Sequence, residues 1–530
     1  MKKAIALFLV VLMASLILPI SNLLEYLTRT PSEGWSNEFV LADYDDYAMR
    51  RFFPSKILQV DDSHFIALAF EGTKLHVQKY NELSELIGAS DIELGTDTVW
   101  MLDASLIDDQ TIGVYYREEK NLNFGRIDTD TLQLDRSVNV SEGDMGLSAS
   151  DQYAVTHDGT EIRIFKSGEL IDQWEVGRIK SLGAVHDEGK LTIITNIGVS
   201  GSYKGVYTSY DVATKSITES IIFEPENSLA FGDVKDVVIT DDGIAIMYSK
   251  TVIEQGVAYG VISYVLMDDS NVIHVESYKD AALQKAGLIL DATPDNFEVV
   301  SLIDVSGNVD FVKWNTDKGY RQGTRLTNTK QTGLNPEYLT LGGAEYLLWF
   351  DLTTSGKELK LSSNQQKLVD ISMKPSKNDY WTIPYIIILA GAFPVLITTF
   401  IPLFMFDLIL IGIAHLINQQ LRKVDKKLIG VGVYLGGIHV VYLLMVLYMS
   451  MIKQLKGYTF ADILVSHDLF AGVVYALIIG ASGLIALFAN THTDGNRKLT
   501  WFAYFAAVST FFLAINFGIY SVIEIMSVKF

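Results

Sequence analysis

The chain contains no cysteine. That excludes disulfides, thiolate zinc sites, cysteine nucleophiles, iron–sulfur clusters and a cysteine-linked lipid anchor. It leaves the redox compartment open, because a chain without thiols works in either. Basic residues are scarce. There are 42 Lys and Arg against 63 Asp and Glu, a net charge of -21 over 530 residues. A general nucleic-acid binder needs a cationic surface, so that class is excluded. Several catalytic signatures are missing as well: a glycine-rich phosphate loop, His-Glu-x-x-His and Gly-x-Ser-x-Gly. His64, His76, His157, His186 and His274 have no metal-ligand spacing. What the chain does have is apolar content. Hydrophobic residues make up 49%, and a mean hydropathy of +0.23 at this length points to membrane segments.

The apolar stretches divide the chain. Residues 4–27 form one, after Met1-Lys2-Lys3. From 381 to 530 apolar segments dominate again. Between them, residues 28–380 hold no uncharged apolar run long enough to span a bilayer. This middle region carries 56 of the 63 acidic residues and only 31 of the basic ones, so the negative excess is its property alone. The C-terminal part reads as four transmembrane helices, about 383–416, 428–452, 469–489 and 499–526. Each reaches the roughly 20 residues needed to cross an apolar core. Pro384, Pro394 and Pro402 put kinks in the first, and a re-entrant pair there is the alternative. The N-terminal stretch lacks a clear small-x-small cleavage site at Ser21-Asn22-Leu23-Leu24 and reads as an uncleaved signal anchor; a cleaved signal peptide is the competing reading.

Basic residues in short loops set the orientation. With the N-terminus inside, the cytoplasmic side holds Lys2, Lys3, Arg422, Lys423, Lys426, Lys427, Arg497 and Lys498. The short outside loop and tail hold only Lys453, Lys456 and Lys529. The expectation is a multi-pass plasma-membrane protein with five spans, N-terminus inside, and residues 28–380 outside the cell. If the signal is cleaved, four spans remain with the same faces.

The middle region repeats. Short strands follow one another over 57–372, among them 64–70 (HFIALAF), 74–80 (KLHVQKY), 111–116 (TIGVYY), 192–196 (TIITN), 243–248 (GIAIMY) and 346–350 (YLLWF). Asp158-Gly159, Glu188-Gly189, Asp242-Gly243 and Ser306-Gly307 suit tight hairpins, where positive φ favours Gly, Asn and Asp. One unit recurs: two apolar strands, a polar turn, and a more polar outer strand. Its turns fall near 81, 128, 167, 211, 268, 315 and 362, a mean spacing of about 47, which is the period of a four-stranded propeller blade.

The outer turns Ile127-Asp128-Thr129-Asp130-Thr131, Tyr210-Asp211-Val212-Ala213-Thr214-Lys215 and Trp314-Asn315-Thr316-Asp317-Lys318 look like the Asp-x-x-Thr turn of β-propeller repeats. On these residues the region resembles the β-propeller superfamily, of the quinoprotein-like and WD-repeat-like type. No Trp-Asp dipeptide ends a unit, and the Gly-His opening and the repeated docking Trp are absent. The resemblance therefore implies a fold of about seven four-stranded blades and no cofactor. A pair of β-sandwiches is the alternative.

The expected fold class is thus multidomain: an all-β extracellular propeller plus all-α transmembrane helices. Residues 1–27 form the signal anchor, 28–380 the propeller and 381–530 the four-helix region. Asp43-Tyr44-Asp45-Asp46 and Asp128-Thr129-Asp130 offer carboxylates to calcium, but the full set of ligand offsets is missing, so solvated acidic turns are the expectation. Within the spans, His439 lies mid-way along the third and Asn516 mid-way along the fifth. Ionisable and polar groups are costly there, so these two are the intramembrane site candidates. The plainer account of His439 is a neutral ring hydrogen-bonded across the bundle. Gly432-Val433-Tyr434-Leu435-Gly436 lets helices approach closely. No catalytic or metal residue is assigned. Besides the lipid bilayer, the expected partner is a protein or envelope polymer bound by the propeller, as in a sensor or scaffold. The alternative is a membrane enzyme or transport component with its site among the C-terminal helices.

Overall fold

The computed structural model describes Ala6 and residues 30–374, apart from 46–54, 72, 95–98, 136, 200–201, 226–230, 269–270, 306–307, 328–332 and 354–355. Thr30–Met373 form one compact unit. It contains seven four-stranded antiparallel sheets, and it is a seven-bladed β-propeller. Blades 1 to 6 span 55–93, 99–142, 146–175, 179–223, 233–280 and 283–325. Within each, the strands pair in chain order, from the innermost outward.

Blade 7 is built differently. Its first three strands are Leu334–Leu341, Ala344–Leu352 and Gly356–Ser363. Its outermost strand is Phe39–Asp45, which comes from the other end of the unit and pairs antiparallel with the third, Phe39 against Leu361 and Asp45 against Gly356. The repeat expected over 57–372 therefore starts too late. The expected turn at Ser362-Ser363 leads to a short helix, Gln366–Ser372, rather than to a fourth strand. The N-terminal segment lies against that helix: the Ser36 backbone amide donates to Ser363 O at 2.8 Å and the Asn37 amide to Ser372 Oγ at 3.1 Å.

Local chemistry explains the strands. Second strands such as His64–Glu71 and Thr111–Glu118 are runs of Ile, Val, Leu, Phe and Tyr, buried on both faces between neighbouring blades. Outermost strands such as Leu86–Glu93 alternate exposed and half-buried positions. Tight hairpins occur where two successive residues take positive φ: Ser167-Gly168, Glu188-Gly189 and Gln255-Gly256. Such a pair matches the twist of the flanking strands. The Asp-x-x-Thr turns close as the sequence suggests. Asp128 Oδ1 accepts from the Thr131 amide (2.7 Å) and hydroxyl (2.9 Å), and Asp211 Oδ1 accepts the same pair from Thr214.

The apolar core is a ring of wedges. Each of the seven blade junctions has its own hydrophobic cluster, from Phe65, Tyr80, Leu348 and Phe350 between blades 7 and 1 to Trp35, Phe311 and Trp349 between blades 6 and 7. The innermost strands adjoin one another around a closed circle. Alternation of antiparallel strands gives the disc two faces. The lower one bears the hairpins between first and second and between third and fourth strands. The upper one bears the second-to-third hairpins and the links between blades. The two ends of the unit, before Phe39 and after Ser363, meet blade 7 at the lower face.

Candidate functional site

The innermost strands bring four charged side chains of four blades around the central channel. They are Lys56 on Ser55–Asp61 of blade 1, Asp103 on Val99–Asp108 of blade 2, Asp236 on Asp233–Thr240 of blade 5, and Glu337 on Leu334–Leu341 of blade 7. Lys56 Nζ lies 3.2 Å from Glu337 and 3.5 Å from Asp103. One ammonium thus ties blades 7, 1 and 2 together. Protein walls these groups in, yet the Lys56 and Glu337 side chains keep 29% and 27% exposure, so the channel admits water.

The same level continues around the ring. Asp103 accepts from the Ala149 amide of blade 3 at 2.8 Å. Ser148 Oγ accepts from the Ala184 amide of blade 4 at 3.0 Å, and Ser181 Oγ from the Val234 amide of blade 5 at 3.1 Å. Asp236 accepts from the Ile289 amide of blade 6 at 2.9 Å. At the last junction, between blades 6 and 7, Lys313 Nζ reaches Glu345 at 2.7 Å on strands further out. Polar side chains of the innermost strands therefore stitch six of the seven junctions.

Charge and burial set the protonation of this ring. The carboxylates Asp103 and Glu337, with Asp103 the stronger, hold the Lys56 ammonium well above the ordinary lysine range. Burial raises Asp236 to about 6, and the nearby Glu337 charge adds to it. Burial raises Glu337 too, against the pull of Lys56. A water-accessible channel lined by three carboxylates and one ammonium can hold polar or charged groups.

The histidines do not converge. His64 pairs with Asp61 at 2.9 Å, His76 with Asp91 at 2.8 Å, His186 with Asp151 at 2.7 Å and His274 with Glu276 at 3.1 Å, while His157 is buried and burial lowers its pKa. They are spread over blades 1, 3, 4 and 5. Among the described residues no group of His, Asp and Glu is placed to hold a metal ion. Asp43 and Asp45 stand in a strand rather than a loop. Asp128 spends its carboxylate on its own turn, and those hydrogen bonds lower its pKa. His439 and Asn516 lie outside the described residues, as do the predicted spans. Among the described residues no helix is long and apolar enough to cross a membrane.

The channel residues escaped the sequence reading, which aligned its units on outer turns. A signal exists: Lys56, Asp103, Asp236 and Glu337 each stand seven or eight residues before the second strand of their blade.

No family model and no curated protein matches the sequence. Solved structures similar to it include the β-propeller domain of the Trilobed protease from Pyrococcus furiosus, 12% identical, covering 59% of this chain and 93% of that one with a TM-score of 0.38. The WD40 domain of coronin from Toxoplasma gondii is 11% identical, covering 52% and 82%, TM-score 0.32. The polysaccharide lyase Uly1 is 10% identical, covering 63% and 98%, TM-score 0.40.

Proposed function

We propose that this chain is an integral plasma-membrane protein whose propeller stands outside the cell and binds a protein or envelope polymer, as a sensor or scaffold. The observation that carries the reading is the way the propeller closes. Its first and last segments are hydrogen-bonded side by side, Asn37 to Ser372, and the outermost strand of the last blade is the first strand of the unit. A domain inserted between two membrane anchors needs its two ends close together. The apolar segments on either side, 4–27 and those from 383 onward, provide such anchors, and the loop charges orient them. A closed ring stapled at its junctions is also a rigid platform, and rigidity lowers the entropy lost when a ligand is bound.

Topology is tested with introduced cysteines, since the chain has none of its own. Asp130 is a suitable outer position, because its side chain is 76% exposed on the lower face. Asp211 is not, because its carboxylate closes its own turn. In intact cells a membrane-impermeant thiol reagent should label Asp130→Cys and spare Asp425→Cys. The reverse pattern would overturn the orientation.

A further inference from the structure

The upper face of the disc carries side chains that the charged ring of the channel does not use. The innermost strands of blades 2, 4 and 5 each take a β-bulge at the second or third residue, at Trp100, Lys180 and Lys235. A bulge leaves a residue unpaired and re-aims its side chain, and bulges concentrate beside functional sites. All three residues are exposed, Trp100 by 57%, a large value for an indole. Met145, immediately before the innermost strand of blade 3, is 63% exposed. Arg178, just before the innermost strand of blade 4, is exposed too.

The cations here are unusual for so acidic a chain. Arg178 and Lys235 have no ion-pair partner among the described residues. The Lys180 ammonium sits 2.8 Å from Asp233 and 4.5 Å from the centre of the Tyr203 ring. Lys250 stands near Lys180, and burial together with that like charge lowers its pKa. Lys180 is thus already paired, and Arg178 and Lys235 are the cations left to meet an anion. The carboxylates Asp103, Asp236 and Glu337 do not neutralise them, being engaged by backbone amides and Lys56. An exposed indole, by contrast, offers a flat face to an apolar ring surface. These groups span blades 2 to 5, too broad an arc for one small ion.

We propose that the upper face over blades 2 to 5 binds an anionic polysaccharide, its acid groups paired with Arg178 and Lys235 and the apolar face of a sugar ring laid on Trp100. The proposal rests on the ligand-binding reading above and names the ligand class. The lower face, where the two ends of the unit meet blade 7, is not involved.

The test uses the purified full chain in detergent micelles. Fluorescent heparin hexasaccharide (sulfate and carboxylate) and an alginate oligomer (carboxylate alone) are titrated at low and moderate salt. A neutral dextran oligomer and poly-glutamate of matched charge are the comparisons. The two anionic glycans should bind, and more weakly as salt rises. Dextran should not bind, and poly-glutamate should bind several-fold more weakly than the glycans, because it has no ring face. Arg178→Glu with Lys235→Glu should weaken glycan binding by about tenfold. Trp100→Ala should weaken it several-fold and leave the salt dependence unchanged. Lys318→Glu, on the lower face, should bind as the parent does. All four positions are exposed, and unchanged circular dichroism verifies the fold of each variant. No binding of either anionic glycan, equal loss in Lys318→Glu, or poly-glutamate binding as tightly as the glycans would each overturn the proposal. Purified protein carries no membrane sidedness, so these outcomes strike the ligand class, whereas the cysteine labelling in cells strikes the topology.

Discussion

Asp236 and Asp310 are both pushed up to about 6 by burial, but they call for opposite outcomes. Asp236 faces the channel with the backbone amides of Ile289 and Val237 as its hydrogen-bond partners, and the Glu337 charge works against its ionisation. Its folded pKa lies above the unfolded value near 3.9. Ionisation therefore costs stability: almost nothing below about pH 4, rising between about pH 4 and 6, and complete above about 6. Asp236→Asn keeps an oxygen for the Ile289 amide and removes that cost. It should stabilise the propeller at pH 7 by on the order of 1–2 kcal/mol, with the gain vanishing at pH 4. Asp310 is buried against Arg325 at 2.6 Å. Asp310→Asn removes the negative charge that Arg325 meets at 2.6 Å and should cost about 1–3 kcal/mol at pH 7. Thermal unfolding at the two pH values checks both. A gain from Asp236→Asn that persists at pH 4 would refute the burial argument.

Among the elements, the strand Phe39–Asp45 does most to close the ring. Tyr44 is the clearest link. Its ring lies 6.2 Å from Phe350 of blade 7 and 5.6 Å from His76 of blade 1, and its hydroxyl donates to Gln78 at 2.6 Å. It is almost fully buried. Tyr44→Ala removes an aromatic core residue and should cost about 3–4 kcal/mol. The cost should appear as faster proteolytic cutting between blades 7 and 1. Unaltered proteolysis and stability in Tyr44→Ala would mean that this strand is an accessory and not the closure. Elsewhere the turns have tight requirements of their own. At Gly243, with φ +134°, a Cβ would run into the Met267 carbonyl oxygen, so the Asp241-Asp242 hairpin has no room for a side chain.

At the scale of the whole propeller, stability has no single centre. Seven clusters each bury apolar surface between two blades, so every blade depends on both neighbours. The ring of innermost strands closes the circuit. Loss at one junction therefore exposes apolar surface on two blades and weakens the next junctions in turn. Calorimetry of the propeller should give a single transition, and Tyr44→Ala should move all of it to lower temperature. A separate early transition for one or two blades would contradict this and revive the picture of two independent β domains.

What the sequence determined by itself was local. The second strands were legible because a run of buried residues is a property of consecutive positions, as in HFIALAF at 64–70. The Asp128 and Asp211 turns were legible because an aspartate oxygen can reach an amide and a hydroxyl three residues on. Spacing of those turns gave the period, and the period gave the blade. Two features waited for the tertiary structure. FVLADYD at 39–45 alternates like many outer strands, and nothing within it names Gly356–Ser363 as its partner, because hydrogen-bond pairing between strands is indifferent to their distance along the chain. Lys56, Asp103, Asp236 and Glu337 are single charges in four separate repeats. Only closure of the ring brings Lys56 within reach of Asp103 and Glu337, and only that proximity and burial alter their chemistry.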